Sequence, residues 1–237
     1  MTEDPNLARA LGYPYPAPPG DFVWHDGAAR PFDGQVSLVD RVPVLAVGSN
    51  RAPGQLQRKF GDAATVPVTI ARLRDHDVVY SAHMASYGSI AATLAESSGT
   101  FVTVSLTWLT DAQLDRMHET ESLGSNYDYG IAETLEIDIG PGRPSVSIGC
   151  YLGRRGAFAP DGAPVRLAEI FAARQVFAAM TQKQILARAH AEFGEGVDFD
   201  AWLARLIRDR ERRALLTERM AGHAVPNTLA AFKIVAP

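Results

Sequence analysis

Cysteine is almost absent: the 237-residue sequence holds one, Cys150, so no intrachain disulfide can form. It lies in the alternating stretch Ser145-Val146-Ser147-Ile148-Gly149-Cys150-Tyr151, where a thiol is expected to act as a small core hydrophobe rather than a nucleophile. Long apolar runs are missing too. No stretch approaches the roughly 18 apolar residues of a membrane span, and Met1-Thr2-Glu3-Asp4-Pro5 has neither a basic nor an apolar leader region. A cytoplasmic protein with no membrane partner is expected. Positive charge is not in excess, since 23 Lys and Arg face 27 Asp and Glu for a net charge of -4. Nucleic acids and anionic membranes require clustered positive charge, so neither is an expected partner, and small neutral or zwitterionic ligands fit better. The six histidines lack metal-ligand spacing, and His118-Glu119-Thr120-Glu121 has no second histidine four residues on. No metal and no cofactor are expected.

What is present is a hydrophobic fraction of 46%, enough for a proper core. Residues 1–40 contain Tyr13-Pro14-Tyr15-Pro16-Ala17-Pro18-Pro19-Gly20, a composition that blocks helices and ladders but leaves rings free to pack. They are expected to form an irregular arm. Residues 41–165 read as a β-rich core, with short β-branched runs at 42–47, 66–70, 77–81, 90–94, 101–108, 131–137 and 145–151. Thr110-Asp111 caps a helix over 112–119 with Leu114 and Met117 inward, and Gln55 to Phe60 reads as a short helix. Residues 166–237 read as a helical extension. One helix places Ile170, Ala173, Phe177 and Met180 on a face, a second begins at the capping box Thr181-Gln182-Lys183-Gln184, and a third spans 200–220. The expected class is α+β, with a small curved mixed sheet or barrel and a C-terminal helical cover. Oligomeric state has no sequence signal.

Strand 42–47 runs into Gly48-Ser49-Asn50, a turn whose backbone N–H groups can hold a carboxylate or an oxyanion. Ser49 and Ser89 lie outside any Gly-x-Ser-x-Gly elbow, and Gly153-Arg154-Arg155-Gly156 reads as an exposed basic turn, with contact to a substrate carboxylate as the alternative. After the Gly48-Ser49-Asn50 turn come Ala71-Arg72-Leu73-Arg74-Asp75-His76-Asp77, then Tyr87 to Leu94, Ser98 to Val104, and Leu109 to Glu121 with Tyr127 beyond. The series resembles the gamma-glutamylcyclotransferase superfamily over roughly residues 42 to 152. The resemblance implies a family fold, Glu121 as the catalytic carboxylate, and Val47, Gly48, Ser49, Asn50 and Tyr127 at the substrate, with Tyr129 a nearby competitor. Three positions depart from the family pattern: Val47 stands for tyrosine, His118 for aspartate and Ser122 for glycine.

The activity implied is cyclisation of a small gamma-glutamyl amide to 5-oxoproline with release of an amine. The substrate's own α-amine is the nucleophile, so one carboxylate, its pKa raised by desolvation, suffices as general acid and base. Two alternatives stand beside it: a non-catalytic binding or interaction module on the same fold, and an amide hydrolase.

Overall fold

The computed structural model describes residues 4–141, 147–227 and 229–236. Its frame is one long ribbon of two antiparallel strands, β4 (Val66–Met84) and β5 (Ile90–Leu109). The other strands, in chain order, are β1 (Phe22–His25), β2 (Ala28–Pro31), β3 (Val42–Ala46), β6 (Tyr127–Ala132), β7 (Ile137–Asp138), β8 (Ile148–Gly153), β9 (Ala157–Phe158), β10 (Arg166–Leu167), β11 (Ala172–Ala173), β12 (Ala179–Met180), β13 (Ala224–Val225) and β14 (Lys233–Ala236). The helices are α1 (Pro5–Leu11), α2 (Pro53–Phe60), α3 (Asp111–Thr120), α4 (Gln182–Phe193), α5 (Phe199–Arg208) and α6 (Arg210–Ala221). The class is therefore α+β, around one large mixed sheet.

The main path runs β12-β10-β4-β5-β3-β8-β6-β14. The β10–β12 and β3–β8 pairs are parallel, and the other pairs on the path are antiparallel. Among the described residues the path does not close on itself, so a closed barrel is not what forms. The four short runs expected at 66–70, 77–81, 90–94 and 101–108 are two continuous strands. Asp75 adopts φ +56 where the register shifts between Arg74 and His76, and its carboxylate accepts from Gly99 N at 2.6 Å. These turn-type residues make a bulge that bends the ribbon without ending it. The expected strand 131–137 is instead the end of β6 and the separate β7, while Ser145 and Val146 of the expected strand 145–151 lie outside the described residues.

The N-terminal segment is structured, against expectation. Asp4 caps α1, and the β1–β2 hairpin joins the sheet through Phe22↔Val68 and its neighbours on β4. Pro5 sits at the first helical position, where a missing N–H costs nothing, Pro14, Pro16, Pro18 and Pro19 lie between α1 and β1, and Pro31 ends the edge strand β2.

Helices α3 and α4 begin where their capping boxes, Thr110/Gln113 and Thr181/Gln184, place them. Met117 is fully buried with Leu114 packed beside it. The helix expected across 167–180 is not formed. Strands β10, β11 and β12 occupy that segment, because Arg166 pairs with Val79 on β4 and buries its guanidinium against Asp77. The single helix expected over 200–220 is two, because the extended Asp209 turns its carboxylate onto the N–H groups of Glu211 and Arg212 and starts a second helix. Helix α6 packs on β4, and α5 packs on α6 and α1. At the ribbon tip Gly88 (φ +88) lets the turn lie on α5, since a Cβ there would meet Ile207 at 2.6 Å. Among the described residues no helix is long and apolar enough to cross a membrane.

Candidate functional site

Strand β3 delivers its C-terminal end into a 3-10 turn over Ser49–Arg51, and α2 starts two residues later. Across from it α3 ends at Glu121, whose N–H bonds the carbonyl of His118 at 3.3 Å. Two helix-flanked loops thus bring residues 71 positions apart into contact: Asn50 Nδ2 donates to Glu121 Oε1 at 2.8 Å. Lys59, in the last turn of α2, donates to the same oxygen and to Thr120 Oγ1 at 2.8 Å. The side chains of Lys59 and Glu121 are only 9% and 13% exposed, so this is a withdrawn ion pair rather than a surface one. Glu121 Oε2 has no hydrogen-bond partner among the described residues.

These groups open into a cavity of about 580 Å³. Val47, Gly48, Ser49, Asn50, Glu121 and Tyr127 all line it, so the structure brings the sequence-derived candidates together. Tyr127 donates its hydroxyl to Ala92 O at 3.1 Å and stands edge-on to His83 at 5.1 Å. Burial, with the charge of Glu121 beside it, pushes the Tyr127 phenol well above its usual range. The competitor Tyr129 does not line the cavity. It packs over Gly149 and against His118.

Each departure from the family pattern has a structural consequence. Val47 is buried and contributes no polar atom, yet a hydroxyl lies next to the loop all the same. Tyr13, from the N-terminal segment, places its hydroxyl so close to Gly48 that any Cβ there would overlap it. That hydroxyl accepts from Ala92 N at 2.9 Å, which leaves its proton free to donate into the cavity. His118 has its Nδ1 2.8 Å from the hydroxyl of Tyr151, another cavity residue, and burial lowers its pKa. Ser122 adopts φ +54, the left-handed conformation that glycine takes without steric penalty. The turn after Glu121 thus keeps a glycine-like path.

Other sequence candidates resolve into structural roles. Ser49 Oγ accepts from Gln55 Nε2 at 3.1 Å, and Ser89 Oγ donates to Ala10 O at 2.9 Å. Cys150 is fully buried, and burial raises its thiol pKa, which opposes the thiolate a nucleophile needs. Arg155 is not simply an exposed turn residue: it lines the cavity and donates to Ser125 O at 2.8 Å and Asn126 Oδ1 at 3.0 Å. Tyr13, Lys59, Tyr151, Arg9 and Arg58 were not among the sequence candidates. Only the packed rings of the 13–15 segment gave any local sign.

His83 also faces the cavity, with Nδ1 2.9 Å from Ser81 Oγ. Burial, and secondarily the charge of Arg155, lowers its pKa to about 3 from 6.5. An unfolded chain takes up this proton near 6.5 and the native state only near 3, so the stability this neutral ring allows is complete above 6.5 and erodes as pH falls. The erosion is about 1.4 kcal/mol per pH unit within that window. Denaturant titrations between pH 6.5 and 4 are expected to show a shallower acid loss for His83→Gln than for wild type. Parallel curves would remove His83 as the group responsible.

No protein-family model matches the chain, and no curated protein matches it. Among solved structures it is similar to one titled gamma-glutamyl cyclotransferase, at 14% identity and a TM-score of 0.40, over 82% of this chain and 94% of the other. It is similar at 13% identity and a TM-score of 0.40 to the ensemble-refined crystal structure of an uncharacterized protein from Homo sapiens, over 83% of this chain and 94% of that one.

Proposed function

We propose that the chain is a cytoplasmic, cofactor-independent enzyme of the gamma-glutamylcyclotransferase type, which converts a small gamma-glutamyl amide into 5-oxoproline and a free amine. The observation that carries this reading is the Glu121 carboxylate, fixed at the cavity by Lys59 and Asn50 with one oxygen unengaged. That oxygen takes a proton from the substrate's α-ammonium. The freed amine attacks the γ-carbonyl, so a ring C–N bond forms while the original amide C–N bond breaks. The proton held on Glu121 then passes to the departing nitrogen, and the second proton of the new ring nitrogen follows through the same carboxylate, so the amine leaves as an ammonium and charge and atoms balance without a second reactant.

The 3-10 turn supports the other half of the chemistry. The first N–H groups of such a turn have no intrahelical acceptor and suit a substrate carboxylate or the oxyanion that develops at the γ-carbonyl. The hydroxyl of Tyr13 and the ammonium of Lys59 border the same space. Because the α-amine is intramolecular, the site's main work is to hold the substrate folded with amine over carbonyl.

One feature favours the non-catalytic alternative: Lys59 already neutralises Glu121. A panel of gamma-glutamyl dipeptides and gamma-glutamyl anilide, followed by chromatography of the acid product, separates the readings. Release of 5-oxoproline supports cyclisation, and release of glutamate replaces it with hydrolysis. Calorimetric binding with neither product replaces it with a binding module.

A further inference from the structure

The sequence as a whole is acidic, with a net charge of -4, but the cavity is not. Six cationic side chains line it, Arg9, Arg58, Lys59, Arg155, Arg210 and Arg213, against the two carboxylates Glu121 and Glu218. Lys59 is committed to Glu121, and Arg155 lies 3.5 Å from Glu218. Among the described residues the other four arginines have no carboxylate within ion-pairing distance.

Their remaining contacts leave donors unspent. Arg9 stacks its guanidinium 4.7 Å from the centroid of the Tyr87 ring, and its buried Nε has no hydrogen-bond partner among the described residues. Arg58 donates from Nη1 to Gln55 Oε1 at 2.7 Å. Arg213 donates through Nη1 to the carbonyls of Leu206 and Ile207, which fixes it at the α5–α6 junction with the rest of its fork free. Arg210 is exposed at the start of α6 and makes no side-chain hydrogen bond among the described residues. Four planar forks from three separate segments of chain converge on one cavity, and mutual repulsion opposes that arrangement unless an anion fills it. Guanidinium forks match carboxylate and phosphate oxygens in pairs.

A gamma-glutamyl group brings one carboxylate, which the loop amides serve. The volume also exceeds what that group needs, lying within the range of roughly 300–1,000 Å³ typical of sites that enclose larger ligands. We infer that the amine released from this cavity carries a multiply charged anionic head, a phosphate ester or a dicarboxylate, held by Arg9, Arg58, Arg210 and Arg213. The identity of the reaction rests on the cyclotransferase reading above. The anion preference does not, and it can fail separately. The wall that recognises this head is built by α1, α2 and α6, so two of its three parts come from outside the stretch that resembles the cyclotransferase family.

The test compares three amides: gamma-glutamylethanolamine, its O-phosphate, and gamma-glutamylglutamate. Wild type is set beside Arg58→Glu and Arg210→Glu, both at exposed positions that leave the core intact. Turnover is followed by 5-oxoproline release and binding by calorimetry. The two charged amides are expected to exceed the neutral one in kcat/KM by at least about tenfold. Each reversal is expected to lower kcat/KM of the charged amides by about 10- to 100-fold, as loss of a charge-assisted bond implies, and to leave the neutral amide nearly unchanged. A preference shown by only one of the charged amides assigns the head to phosphate or to carboxylate. Turnover indifferent to leaving-group charge, or insensitive to both reversals, overturns the inference and leaves the cyclotransferase reading standing. Binding of the charged amides that the reversals abolish, with no 5-oxoproline from any substrate, keeps the anion site and overturns the cyclotransferase reading. Absence of both turnover and binding for all three amides overturns both.

Discussion

Replacing Glu121 by Gln is expected to lower 5-oxoproline release by about 10²- to 10⁴-fold, the usual contribution of a positioned acid–base group. Glutamine is close in shape and keeps a carbonyl oxygen where Asn50 and Lys59 donate. The cavity and the binding of substrate are therefore expected to survive, and the loss to fall on kcat more than on KM. One complication is the partner left behind. Lys59 is only 9% exposed, and a withdrawn ammonium without its carboxylate destabilises the fold. A double variant, Glu121→Gln with Lys59→Met, removes both charges and separates the two effects. If Glu121 moves the proton, the double variant regains thermal stability but not activity. If Glu121 serves only to anchor Lys59, removing the pair together restores turnover, and the catalytic assignment falls. Equal turnover by wild type and Glu121→Gln would dispose of it directly.

The site was legible in the sequence to the extent that its chemistry is local. Strand β3 with its Gly48-Ser49-Asn50 turn, and α3 with its Thr110 cap, are each written in about a dozen adjacent residues, so their ends could be placed and Glu121 found at one of them. The capping box at Thr181 was legible for the same reason. What surrounds Glu121 was not. Lys59 lies 62 positions away on a different helix, Tyr13 more than a hundred, and the α6 arginines about ninety. Each reads locally as an ordinary surface or arm residue. The charges of α6 look like a solvated helix face because they alternate with leucines, and only the packing of α6 on β4 turns Arg210 and Arg213 toward the cavity. The misread elements share a cause of the same kind. Asp75 and Ser97-Ser98-Gly99 carry turn chemistry, and in isolation each would end a strand, but facing one another across a ribbon they make a bulge. Ile170, Ala173, Phe177 and Met180 have helical spacing, yet short ladders to β4, β5 and one another hold their segment extended.

The anchor of that last segment is expected to matter most for stability. Arg166 and Asp77 form an ion pair with Nε to Oδ2 at 3.0 Å, their side chains 4% and 0% exposed. Asp77 Oδ1 also accepts from Val78 N at 2.8 Å, and the guanidinium donates to Ile170 O. Burial raises the Asp77 pKa even though Arg166 and these bonds pull it down. The ionised carboxylate is thus tolerated only through its partners. Arg166→Met leaves that charge buried and alone, at a cost of about 3–5 kcal/mol, a large part of the roughly 5–15 kcal/mol by which domains are stable. For a chain of this length the midpoint of thermal unfolding is expected to fall by roughly 10 °C or more. The pH dependence gives the mechanism a signature. Losing Arg166 removes the main force lowering this pKa, so Asp77 in the variant binds its proton at higher pH than in wild type. An acid whose native pKa lies above its unfolded one burdens the fold at high pH and is relieved as pH falls through the native value. The stability gap between Arg166→Met and wild type is therefore expected to be widest near neutral pH and to narrow toward acid. Adding Asp77→Asn to the variant is expected to recover much of the loss at neutral pH and to flatten the profile. A gap that stays constant with pH, unmoved by Asp77→Asn, would mean that Arg166 stabilises the 166–180 segment through packing and its bond to Ile170 rather than through charge.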